Sequence, residues 1–124
     1  MRRRQLLPLA LGAAFALLGA SCLSPTLPLP PPDIESVQST DQRQWTIAGS
    51  CRPGAVISVF NVTQNQGVLV EDLDFTGQFV VTLDATLCDS AWVSQVSRTE
   101  ASAEAPFVIE PQSLNDTGAS SPCH

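Results

Sequence analysis

The chain has 124 residues, with twelve Asp and Glu against six Arg and no Lys, and a formal net charge of −6. That length gives room for one domain; three of the six Arg stand at positions 2–4, so the remainder carries about −9. Such a surface repels phosphate backbones and offers no basic patch from which to release counterions, which excludes nucleic acid as a partner.

In chain order, a cationic MRRRQ (Met1–Gln5) precedes a thirteen-residue apolar run, Leu6–Leu18, and the small residues Gly19-Ala20-Ser21. This is the architecture of a signal peptide over residues 1–21, and the run is short for a bilayer span; the rival is an anchor that stays in place. LLGASC (Leu17–Cys22) resembles a bacterial lipobox, although Gly19 stands where lipoboxes usually carry Leu. The resemblance implies that Cys22 is acylated and becomes the mature N-terminus, with cleavage after Ala20 or Ser21 by an ordinary signal peptidase as the competitor. LSPTLPLPPP (Leu23–Pro32) follows, with five prolines. It favours extended polyproline II, so residues 22–32 are expected to be a semi-rigid stalk of roughly 30 Å.

Residues 33–110 show strand-length apolar runs broken by turn residues, the pattern of an all-β antiparallel sandwich of about seven short strands. The expected strands are Ile34–Val37, Gln44–Ser50, Ala55–Val62, Gly67–Val70, Gln78–Leu83, Ala91–Ser97 and Pro106–Glu110. Arg52-Pro53-Gly54 is a turn in which Pro presets φ and Gly supplies the positive φ of type II. Residues 111–124 read as a flexible tail.

The run G-S-C-R-P-G-A-V-I-S-V-F-N, then D-x-x-G-Q-F-V-V-T-L, then W-V-S-Q-V-S resembles bacterial Ig-like domains over most of residues 33–110. The resemblance implies an Ig-like sandwich that spaces, decorates or binds at cell surfaces. RTEASAEAP, after Ser97, departs from the family's usual last turn.

Four cysteines in an exported chain point to disulfides. Cys51 with Cys88 is the first pairing expected, although strands of six residues put the two about 20 Å apart, at opposite ends of a simple Ig topology. Cys88–Cys123 competes, as does Cys22–Cys123 if Cys22 carries no lipid. No metal site is expected; the nearest approach is the acidic cluster Glu71, Asp72 and Asp74 before Gly77, a calcium candidate against the alternative of a solvated turn. His124, the only histidine, is terminal, so no catalytic residue and no cofactor is expected. Asn61-Val62-Thr63 and Asn115-Asp116-Thr117 match the glycosylation sequon, as coincidence in a chain with a bacterial export signal. The expectation is a non-enzymatic lipoprotein of the cell envelope, tied to the membrane by Cys22, whose Ig-like domain meets a protein or envelope partner. The alternatives are a soluble exported domain, periplasmic or secreted, and a calcium-stabilised adhesion domain.

Overall fold

Strict alternation of apolar and polar residues forces the strands to bury one face. In QFVVTLD, Phe79, Val81 and Leu83 are buried while the residues between them are exposed. The computed structural model describes residues 27–113 and 121–123. The expected signal peptide, Cys22, Asn115 and His124 lie outside them.

Nine strands occur among the described residues: β1 (Asp33–Ser39), β2 (Gln44–Ser50), β3 (Val56–Asn61), β4 (Gln66–Glu71), β5 (Gln78–Asp84), β6 (Ser90–Ser97), β7 (Glu100–Ala101), β8 (Ala105–Val108) and β9 (Gln112–Ser113). All seven expected strands are present, and β7 and β9 are two-residue additions. One sheet runs β5-β2-β1-β9; the other runs β4-β3-β6, with β7 and β8 both on the far side of β6. Every pairing is antiparallel. The molecule is an all-β, Ig-like sandwich.

The registers define two ends. Asp33 faces Ser50, Ser50 faces Gln78, and Val56 faces both Glu71 and Val96, so the turns at 51–55, 72–77 and 98–99 share the end where the chain enters. The segments 40–43, 62–65 and 85–89 share the opposite end. Between the sheets lie Val37, Trp45, Ile47, Phe79, Val81 and Leu83 from one layer and Ile57, Val59, Ala91 and Val93 from the other. Each large apolar side chain buried there contributes roughly 1.5–3 kcal/mol. Gly49 lies where Asp33 crosses β2, and a Cβ would run into the Asp33 carbonyl oxygen and the Phe79 ring. On the outer face, Phe60 stacks on Trp92 at 5.4 Å between ring centroids.

The expected type II turn forms: Gly54 has φ 81°, and the Ala55 N–H donates to the Arg52 carbonyl at 3.0 Å. Both boundaries of the domain move outward from 33–110. Leu29 and Pro32, placed in the stalk by composition, are buried, and the tail is fastened where Gln112 and Ser113 pair with Val37 and Ser36.

Candidate functional site

The cysteine pairing differs from the first expectation. Cys88 is bonded to Cys123, with Cα atoms 5.4 Å apart, and Cys51 forms no disulfide among the described residues. Strand length is the reason: Cys51 follows β2 at the entry end, while Cys88 precedes β6 at the opposite end, beyond the reach of a disulfide. Cys88 adopts φ 72° and donates its N–H to the Ile109 carbonyl at 2.7 Å, which sets it beside the returning tail. Ser121 Oγ donates to Glu110 Oε2 on the same path. Burial, then the Asp72 charge, pushes the Cys51 thiol above its ordinary pKa, so little thiolate forms at neutral pH.

The acidic cluster is also rearranged relative to a cation site. Asp72 is buried and faces inward over the entry-end turns, whereas Glu71 and Asp74 are exposed. Its Oδ2 accepts from the N–H groups of Gly77 at 2.8 Å and Gly54 at 3.1 Å. Its Oδ1 accepts from the Thr76 N–H and Thr76 Oγ, both at 3.0 Å. Four donors converge on one carboxylate, which therefore holds the 72–77 loop against the Pro53–Gly54 turn. The calcium candidate is corrected on that ground: the three carboxylates do not converge, and no metal-holding group of three occurs among the described residues.

Two polar hubs had no signature in the sequence reading. At the entry end, Gln95 is buried within β6. Its Nε2 donates to the Pro30 carbonyl at 2.7 Å, and its Oε1 accepts the Arg52 N–H at 2.9 Å. One amide thus ties the proline segment, the turn and the sheet together. Gln95→Ala leaves both backbone groups unmet and is expected to cost about 2 kcal/mol. Denaturant titration would measure the loss, with faster amide exchange at Arg52; an unchanged midpoint would show that the segment is not clamped.

At the opposite end, buried Asp89 accepts through Oδ2 from the Thr86 N–H, Asn61 Nδ2 and Gln64 Nε2, at 2.8, 2.9 and 2.8 Å. Asn61 Nδ2 also donates to the Asp84 carbonyl at 3.2 Å. Asn61 is fully buried, so its sequon nitrogen is not presented to a glycosylating enzyme. Over this network opens a polar cleft of about 670 Å³ lined by Asp41, Arg43, Gln64, Gln66, Asp84 and Thr86. Acidic, amide and hydroxyl groups with one guanidinium suit hydrogen-bonded recognition of a polar partner surface. A smaller cleft at the entry end gathers Arg52, Arg98 and Glu100, with Arg52 and Glu100 3.9 Å apart and both exposed.

These features define a two-ended Ig-like module, clamped to its own N-terminal segment at one end and presenting polar loops at the other. No protein-family model, curated protein or solved structure matches the chain.

Proposed function

We propose that this protein is an exported lipoprotein of the cell envelope, anchored through an acylated Cys22, whose Ig-like domain is a non-enzymatic binding or structural module. The observation that carries the reading is the clamping of Leu29–Pro32 at one end of the sandwich, seven residues after the cysteine of the lipobox-like LLGASC. An anchor at that end leaves only residues 22–28 as a spacer, roughly 20 Å when extended. The sandwich then stands with its entry end toward the membrane and the cleft over Asp89 directed away from it, where a partner in the envelope is met.

A second reading, a soluble exported protein, is favoured by the position of Cys51. It lines a shallow groove with Leu29 and Pro30, and Cys22 lies seven residues before Leu29, within a chain reach of about 23 Å. Without lipid, Cys22 and Cys51 would then form a second disulfide.

Intact mass of the mature protein from its native host, with and without reductant, tests both. An acylated Cys22 together with one disulfide is the expected result. An unmodified chain that starts near Ser21 or Cys22 and gains four protons on reduction would replace the anchored reading with the soluble one.

A further inference from the structure

The entry end of the sandwich carries apolar side chains that the core does not use. Leu73 and Phe75, in the loop between β4 and β5, are 73% and 71% exposed, and Leu27, two residues before the buried Leu29, is 90% exposed. Elsewhere among the described residues only Leu69, on β4, is as exposed. Pro53, also exposed, connects them. It lines the groove that receives Leu29 and Pro30, and its neighbour Gly54 lies under the Phe75 ring, where a Cβ would strike Cε1 and Cδ1. Apolar surface thus runs from the first described residues across Pro53 to the tip of the 72–77 loop.

The loop holds these side chains out in a fixed arrangement. Phe75 has φ 54°, in the left-handed region that a bulky residue rarely adopts. Its N–H donates to the Asp72 carbonyl at 3.3 Å, and the Asp72 carboxylate fastens the loop through Thr76, Gly77 and Gly54. Strain of this kind persists only where the surroundings enforce it, and it gathers at sites that bind. A turn that merely joined β4 to β5 would place glycine or asparagine at that φ, with polar residues at its tip. Here two large apolar side chains flank Asp74.

We propose that Leu73 and Phe75 enter the headgroup region of the bilayer to which Cys22 is anchored, and so hold the sandwich upright with its entry end on the membrane. The inference rests on the anchored reading, and the course of the chain names the occupant. Residues 1–26, outside the described part, contain the apolar run Leu6–Leu18 and Cys22, and the chain that follows them enters the domain at the end that carries the loop. With residues 22–28 as the spacer, roughly 20 Å when extended, the tether keeps this end nearest the lipid. Two apolar side chains bind a bilayer weakly by themselves, but a tether of that length makes their insertion intramolecular. The charges agree with a zwitterionic surface. Of the three arginines beyond positions 2–4, Arg52 and Arg98 stand exposed at this end, beside exposed Glu71, Asp74 and Glu100.

Fluorescence of the acylated protein, purified from host membranes and reconstituted in phosphatidylcholine vesicles, tests the insertion. Leu73→Trp and Phe75→Trp each add an indole at the loop, and Leu73 does not share the positive φ of Phe75, so the two positions report independently. Val62→Trp is the control, because Val62 is exposed at the opposite end. With brominated acyl chains in the vesicles, the loop indoles should lose about half of the emission they add to the parent's, as aromatic rings at a membrane interface do. The Val62→Trp indole should keep its emission. An acylated protein whose loop indoles are quenched no more than that of Val62→Trp overturns the proposal, leaves the anchor standing and gives the patch to a protein surface instead. An intact mass that shows Cys22 unmodified overturns the anchor, and the proposal with it.

Discussion

Loss of the Cys88–Cys123 bond is expected to lower stability by about 4 kcal/mol, the closure entropy of a loop of 35 residues. For a domain of this size that corresponds to a fall in melting temperature of about 20 °C. The native contacts near the bond are not its main contribution. Ile109 is fully buried, donates its N–H to the Asp89 carbonyl at 2.8 Å and accepts the Cys88 N–H, so the chain remains fixed up to that residue without the bond. Beyond it, among the described residues, the short β9 pairing, a hydrogen bond from Gln112 Nε2 to the Val108 carbonyl and the Ser121–Glu110 contact hold the tail. Most of the effect therefore acts on the unfolded chain, which the bond forbids from spreading. Cys88→Ala, Cys123→Ala and the double variant should be equally destabilised, because each removes the same constraint. With Cys22 acylated, Cys51→Ala should change stability by under about 1 kcal/mol, since its side chain is only partly buried and forms no disulfide among the described residues. Thermal melts of the four variants, with and without reductant, check this. A parent whose melt is unaffected by full reduction would show that the bond constrains nothing.

The strands were legible because the core is built by alternation, and alternation is local. Phe79, Val81 and Leu83 announce their face, and so do Ala55, Ile57 and Val59. Arg52-Pro53-Gly54 announces its turn through the φ values those residues accept. β6 does not announce its face: Trp92, Val93 and Val96 are apolar on both sides of the strand, and the buried face is Ala91, Val93 and Gln95. Gln95 is inside because it has two backbone groups to satisfy, and both come from segments more than forty residues away. Cysteine pairing was legible only as a choice between Cys51–Cys88 and Cys88–Cys123, for a related reason. The strand lengths placed Cys51 and Cys88 at opposite ends, but only the path of the tail after Val108 brings Cys123 to Cys88. The proline segment misled through composition, which speaks to its extended conformation and is silent on whether a groove receives it. Asp72 was noticed, and its role was not. A sequence displays the charge of a carboxylate without the donors that surround it.

Those donors make Asp72 the residue whose replacement should disturb the entry end most. Asp72→Ala removes the acceptor for the Gly77, Gly54 and Thr76 N–H groups together, and leaves the backbone bonds from Cys51 to Gly77 and from Asp72 to Ala55 to join the two turns. A fall in melting temperature on the order of 10 °C is expected at neutral pH. Asp72→Asn should recover little of it, because an amide nitrogen turned toward those N–H groups cannot accept. The Gly77 N–H holds the Asp72 carboxyl below its ordinary range, burial opposes this, and the Gly54 and Thr76 donors reinforce it. The folded pKa thus lies below the unfolded value of about 3.9. The clamp's contribution is complete above that value and is lost as pH falls from about 4 through the depressed folded pKa. Melts of the parent should therefore show an added decline below pH 4 that is missing from Asp72→Asn, so that the two curves converge at low pH. Parallel curves would mean that the clamp does not depend on the charge. The same melts repeated in millimolar calcium should superimpose on those without it, because every oxygen of Asp72 already accepts a hydrogen bond and Glu71 and Asp74 point elsewhere; a calcium-dependent rise would return the loop to the cation site its composition suggested.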